Sequence, residues 1–209
     1  MFDMAFWQGI KGFMEEAEAR KLFDVALEAA GMGPVLEIGS YCGKSSYLIG
    51  MAAKQRDSIL FCVDHHQGSE EQQPGEEYFD ESLYDETTGG IETFRFFRDT
   101  IARSSLADTV VPIVAPSETA GRCWQTPLSM VFVDGGHSFK DAFTDYETWS
   151  GHIMHNGFLV FHDIFLDPAK GGQAPREVYE LVLKDDRFTF ISMTHTLAVF
   201  QRTGMRQKD

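Results

Sequence analysis

Residues Val35-Leu36-Glu37-Ile38-Gly39-Ser40-Tyr41-Cys42-Gly43-Lys44-Ser45-Ser46 constrain this chain more than any other stretch. An apolar strand that runs into a glycine turn and then a helix is how an α/β sheet builds a nucleotide pocket. Gly39 permits a sharp reversal at the strand's end, and Gly43 lets the following helix approach closely. Glu37 carries a carboxylate that can accept hydrogen bonds from ribose hydroxyls or from nearby backbone. A dinucleotide fingerprint, G-x-G-x-x-G, needs glycine two residues after the first so that backbone can approach a pyrophosphate, and here Tyr41 fills that position. Bulk at Tyr41 therefore argues against NAD and for a nucleoside cofactor without phosphates, held around Gly39, Ser40, Tyr41, Gly43 and Ser45.

The rest of the chain repeats the alternation. Apolar runs bounded by turn residues predict strands over Val35 to Ile38, Ile59 to Val63, Val110 to Val114, Met130 to Val133 and Phe158 to Phe161. Segments suited to helices lie between them: Lys44 to Gln55, Gly90 to Arg103, Ser117 to Trp124 and Phe139 to His152. Strands apolar on both faces and alternating with helices imply a doubly wound, mostly parallel sheet. After a helix near Arg176 to Lys184, the runs Phe188 to Met193 and Leu197 to Gln201 are separated only by Thr194-His195-Thr196. That connection is too short for a crossover and predicts an antiparallel C-terminal hairpin. Ahead of the first strand, helical spacing from Phe6 to Ala30, stopped by Gly31, Gly33 and Pro34, predicts one or two leading helices within residues 1–33. Phe2, Phe6, Trp7, Phe13 and Met14 leave two roles open there, a cover for the sheet or a homo-oligomer surface, and cover is the simpler.

With 209 residues, 43% of them hydrophobic and 13% aromatic, the chain suffices for a single domain covered on both faces. Residues 67–90 change composition to Glu, Asp, Gln, Gly and Thr, with Tyr78, Phe79, Leu83 and Tyr84 as apolar anchors, which predicts a lid or an insertion. The net charge of −14 argues against nucleic-acid and anionic membrane partners. Cys42, Cys62 and Cys123 lack C-x-x-C spacing and suit reduced thiols in the core of a cytoplasmic protein. No run of 18 apolar residues and no leader pattern is present, which fits the same compartment.

Six residues in four stretches carry the chemistry. Asp64 follows the second strand, where a carboxylate at the sheet's carboxyl edge meets a ribose hydroxyl, or else caps a turn. Ser117 can cap the next helix or face an adenine edge. Val131-Phe132-Val133-Asp134-Gly135-Gly136-His137-Ser138 delivers a carboxylate and, three residues later, an imidazole towards one small ligand. Phe158-Leu159-Val160-Phe161-His162-Asp163 ends a further strand in two more donors. Asp134, His162 and Asp163 can then surround Mn²⁺, Mg²⁺ or Fe²⁺. Against this stands strand geometry, in which the adjacent His162 and Asp163 point to opposite faces.

Through Glu37-Ile38-Gly39-Ser40 with Gly43, Asp64, Val133-Asp134-Gly135-Gly136-His137-Ser138 and Phe161-His162-Asp163, the chain resembles the class I S-adenosylmethionine-dependent methyltransferases. It looks most like the branch of the metal-dependent macrolide sugar O-methyltransferases and the cephalosporin-hydroxylase-like proteins. The resemblance runs from Val35 to Asp163 and implies a Rossmann-like sheet of seven strands with the last reversed. It also implies that the glycine turn holds the methionine end of the cofactor, that Asp64 holds its ribose, that Asp134 binds a metal, Mg²⁺ or Mn²⁺ foremost, and that His137 removes the proton of a small hydroxylated acceptor. Where the macrolide enzymes carry two acidic residues after the next strand, this chain has His162 followed by Asp163. Two other readings use the same scaffold: a metal enzyme of hydroxylase-like or hydrolase-like chemistry, and a non-catalytic nucleoside-binding relative.

Overall fold

The computed structural model describes residues 1–136 and 138–204. Two leading helices, α1 (Met4–Gln8) and α2 (Glu16–Ala30), precede β1 (Val35–Ile38), α3 (Lys44–Gln55) and β2 (Leu60–Asp64). A small hairpin of β3 (Tyr84–Asp85) and β4 (Gly90–Ile91) leads into α4 (Phe94–Arg103), β5 (Val110–Val114) and α5 (Ser117–Gly121). Then come β6 (Leu128–Val133), α6 (Phe139–Trp149), β7 (Ile153–Phe161), α7 (Ala174–Val182), β8 (Phe188–Thr194) and β9 (Leu197–Arg202).

Seven strands form one sheet in the order β5-β2-β1-β6-β7-β9-β8. The first five in that order pair in parallel, and β9 runs antiparallel to both β7 and β8. This is the doubly wound, mostly parallel sheet that the alternation predicts, with the antiparallel hairpin that the short 194–196 connection predicts and the Rossmann-like seven strands that the resemblance implies. The hairpin turns at His195, whose φ of 50° lies in the left-handed region.

Period-two alternation splits the core between the faces. Val35, Met130, Phe132, Phe158 and Val160 face α2 and α3, whereas Leu36, Ile38, Val131, Val133, Leu159 and Phe161 pack against Tyr146, Trp149 and Val178 of α6 and α7. Phe2, Phe6, Trp7 and Met14 join the first cluster, so these N-terminal side chains cover the sheet; Phe13 does not, being 59% exposed. The parallel strands deliver their carboxyl ends to one rim, where the Gly39 turn after β1 lies.

Several boundaries differ from expectation. The helix expected from Gly90 starts at Phe94, because Gly90 and Ile91 pair with Asp85 and Tyr84 instead. The last parallel strand begins at Ile153 rather than Phe158, a polar start (His155, Asn156, Gly157) that hides its ladder from hydrophobic pattern. The segment after β5 is helical only over Ser117–Gly121. Cys42 and Cys62 are buried as expected, but Cys123 is exposed just past that short helix. Among the described residues no helix is long and apolar enough to cross a membrane.

Candidate active site

A cavity of about 580 Å³ opens at the carboxyl rim of the sheet, a size that suits a nucleoside-sized ligand. Its floor is the turn after β1. Gly39 has φ of 82°, and a methyl group built there would lie 2.0 Å from the carbonyl oxygen of Asp134, so the loops after β1 and β6 touch through a position open only to glycine. Tyr41 also takes a left-handed φ, of 46°, and Gly43 one of 89° at the start of α3. Ser40, Tyr41 and Ser45 line the cavity with Gly39, and the Ser40 hydroxyl is buried without a hydrogen-bond partner. Gly43 stands outside the wall: its missing side chain makes room for Thr100 and Phe97 of α4, the close approach expected of it.

Glu37 is not a cavity residue. Alternation along β1 turns it to the α3 side, where it is fully buried and bonded to the Ser46 hydroxyl and to the Cys62 thiol at 3.3 Å. Burial pushes its carboxyl up to about 7, against hydrogen bonds from Ser45, Ser46 and Cys62 that act in the opposite sense. A role for Glu37 at the ribose is therefore replaced by one behind the turn, tying β1 to α3.

Asp64 does line the cavity, and its carboxylate also organises the turn. Oδ2 accepts from the amides of Ser40 and Tyr41, both at 2.8 Å, and Oδ1 from the amide of His66 at 2.7 Å. A carboxylate offers about four lone-pair sites, so at least one stays open to a ligand. Ser117 lines the opposite end but caps nothing: the residue flanking α5 is Pro116, and the Ser117 hydroxyl accepts from Trp149 Nε1 at 2.8 Å. Beside it Asp145 of α6, 5% exposed, borders the same end, and burial raises its carboxyl to about 7 despite a hydrogen bond from Ser117.

The third wall is acidic. Asp134 and Asp163 line the cavity at the ends of β6 and β7, and His162 lies buried behind them. His162 Nδ1 stands 3.1 Å from Asp134 Oδ1 and 3.4 Å from Asp163 Oδ1, and ligand atoms of these three residues all fall within 4.8 Å of one another. The objection from strand parity fails because β7 ends at Phe161. His162 still follows the alternation and points towards α2, whereas Asp163, at φ of 59°, swings its carboxylate back beside it. His137 lies outside the described residues.

Sequence reasoning missed Glu18. This α2 residue is 2% exposed, and its Oε2 lies 3.2 Å from His162 Nε2, while Oε1 accepts from the amide and hydroxyl of Thr196 at 2.8 and 2.7 Å. Burial opposes charge on both partners. Even so, the carboxylates of Asp134, Asp163 and Glu18 hold the His162 imidazolium well above the usual histidine range, and His162, Thr196 and the Glu15 amide hold Glu18 at about 2. A signal existed: Glu18 falls on the apolar stripe of α2 with Leu22, Val25 and Ala29, where an unpartnered carboxylate would be costly. Asp145 sits likewise between Ala142 and Trp149 on the buried face of α6.

Residues 67–90 reach the cavity at one end of the segment. Gly68 to Gln72 line the cavity, the ion pair of Lys11 with Asp80 (2.5 Å) ties the segment to the N-terminal region, and Leu83 and Ile91 are buried with Cys42. Phe13, which lines the cavity with Tyr41, packs edge-on to Tyr78 at 5.4 Å and lies 6.2 Å from Tyr41.

This sheet order and rim cavity coincide with a match of residues 36–164 to the methyltransferase-domain family. The chain belongs to that family and is a methyltransferase. Its fold is shared by the O-methyltransferase TomG of Streptomyces achromogenes, solved in complex with SAM, at 15% identity over 98% of this chain and 100% of that one, with a TM-score of 0.60. It is shared by the O-methyltransferase of Bacillus cereus in complex with SAH, at 12% identity over 98% and 93%, TM-score 0.66. The O-methyltransferase NovP matches at 16% identity over 90% and 80%, TM-score 0.68.

Proposed function

We propose that this chain transfers the methyl group of S-adenosylmethionine to a hydroxyl oxygen of a small molecule, assisted by Mg²⁺ or Mn²⁺ held by Asp134, His162 and Asp163. One observation carries the reading: a nucleoside-sized cavity has the Gly39 turn as its floor and the Asp134 and Asp163 carboxylates as one wall. The O-methyltransferase names of the structural neighbours, two of them solved with SAM or SAH, favour the same donor and the same kind of acceptor atom.

The residues present fit both groups. The Ser40 hydroxyl is a buried polar atom left over at the turn, and the glycine turn is a cradle that a side chain would fill. At the acidic wall, ligand atoms 3.1 and 3.4 Å apart match adjacent corners of an octahedron with bonds of about 2.1 Å, whose edges measure roughly 3.0 Å. When bound, the sulfonium donor supplies an already activated methyl group, and the cation supplies the Lewis acidity that lowers a hydroxyl's pKa.

The remaining work falls to side chains and backbone. The turn from Gly39 to Tyr41 and Ser45 hold the methionine end, the open lone pair of Asp64 takes a ribose hydroxyl, and Ser117 receives the adenine edge. His137, three residues beyond Asp134, accepts the acceptor's proton, which imidazole can do near neutral pH. With the donor bound, His137 would take the hydroxyl proton as the oxygen gained the methyl group, and S-adenosylhomocysteine would remain as the other product. Segment 67–90 covers the mouth and keeps water from the aligned pair. A net charge of −14 favours a small-molecule acceptor over nucleic acid or an anionic membrane. The fold and charge suit a cytoplasmic enzyme.

Incubation with methyl-labelled S-adenosylmethionine and a panel of small sugars, phenols and alcohols tests this. Label should pass to oxygen of at least one acceptor, fall about 100-fold or more with EDTA, and return with Mg²⁺ or Mn²⁺. Transfer indifferent to EDTA would remove the metal from the reading, and failure to bind S-adenosylhomocysteine would remove the whole of it.

A further inference from the structure

Glu18 is a buried polar residue that the proposed chemistry does not use and that packing does not explain. Its neighbours on α2, namely Ala19, Leu22, Val25, Ala26 and Ala29, are all buried and apolar. A capping box with Glu15 accounts for one contact, the Glu15 amide to Glu18 Oε2 at 3.1 Å, but an exposed glutamate would serve that purpose equally. Instead the carboxylate is inserted between the β8–β9 turn and the end of β7, with Oε1 fixed by the amide and hydroxyl of Thr196 and Oε2 beside His162 Nε2.

Resting on the metal reading above, we propose that Glu18 is a positioning residue that makes His162 a metal ligand. By accepting the Nε2 hydrogen it fixes the ring's rotation and turns Nδ1 towards Asp134 and Asp163, so that a cation entering between those carboxylates would displace the Nδ1 proton to solvent and leave the other on Nε2. Carboxylate, imidazole and ion are the standard order in which an outer carboxylate sets the tautomer of a ligating histidine. The arrangement also gives the N-terminal helices a part in the site, since Glu18 and His162 are 144 residues apart in sequence.

The test is Mn²⁺ titration of the full chain by calorimetry, with S-adenosylhomocysteine affinity measured alongside. Glu18→Leu keeps bulk and helix but removes the acceptor, so it should weaken Mn²⁺ binding about 10- to 100-fold and leave S-adenosylhomocysteine within about twofold. In a His162→Asp background, where there is no ring to orient, the same change should alter Mn²⁺ affinity by less than about threefold. Glu18→Leu with parental Mn²⁺ affinity overturns the positioning role alone; an equal loss in the His162→Asp background does too, since Glu18 would then act on the fold. A parent that binds no Mn²⁺ overturns the metal reading itself. Should Glu18→Leu fail to fold, the ¹⁵N spectrum of the parent decides: with Mg²⁺ added, His162 should carry its proton on Nε2, and a proton on Nδ1 overturns the proposal.

Discussion

Gly39→Ala should lose about 4 kcal/mol or more of folding stability, a fall in Tm of roughly 10 °C, and should lose S-adenosylhomocysteine binding with it. Two independent strains meet at this position. An alanine would have to hold φ near 82°, which side-chain-bearing residues rarely adopt, and its methyl would stand 2.0 Å from Asp134 O, 2.6 Å from Asp134 C and 2.9 Å from Gly135 Cα. These are backbone atoms, fixed by the bonds from the Asp134 amide to Ile38 O and from the Gly39 amide to Val63 O, so no side-chain rotation relieves the clash. Either the loop after β6 moves away, carrying Asp134 from the cavity, or the turn after β1 opens. Gly172→Ala is the matched control, with open space around it, and should stay within about 0.5 kcal/mol of the parent. Thermal melts of both variants check this, and a Gly39→Ala protein that melts with the parent would show that the two loops do not meet as described.

Asp134→Ala should lower metal-dependent turnover about 1,000-fold or more at saturating acceptor while keeping most cofactor affinity. Lewis acidity of a bound cation is worth several kcal/mol, and about 1.4 kcal/mol corresponds to tenfold in rate. Asp134 supplies one of the two cavity-facing carboxylates at the acidic wall, and its loss leaves Asp163 and His162 to hold the ion alone. The fold should survive, because His162 keeps Glu18 and Asp163 and the Asp134 backbone bond to Ile38 is unchanged. Single-turnover rates with excess Mn²⁺ separate lost affinity from lost chemistry, and near-parental turnover would contradict the assignment of Asp134.

The Gly39 turn, Asp64 and Asp134 were legible in the sequence because each follows an unmistakable buried strand, and strand ends of a parallel sheet share one rim. Glu37 was misplaced because the same pattern does not tell which side of the sheet a mid-strand residue faces, and parity sends it to α3 rather than to the rim. The convergence of His162 with Asp163 depends on a left-handed φ at Asp163, a state that aspartate tolerates but no motif announces. Glu18 escaped because a helical stripe reveals that a carboxylate is buried and not what it meets. Its partners, His162 and Thr196, come from the far end of the chain.

Crystals grown with S-adenosylhomocysteine and Mn²⁺ test the central claim most directly, through an anomalous difference map collected for manganese. A peak bounded by Asp134, Asp163 and His162, with the cofactor's sulfur in the same cavity above the Gly39 turn, is the expected result. Cofactor bound there with no peak at the acidic wall, or a peak elsewhere on the chain, would contradict it.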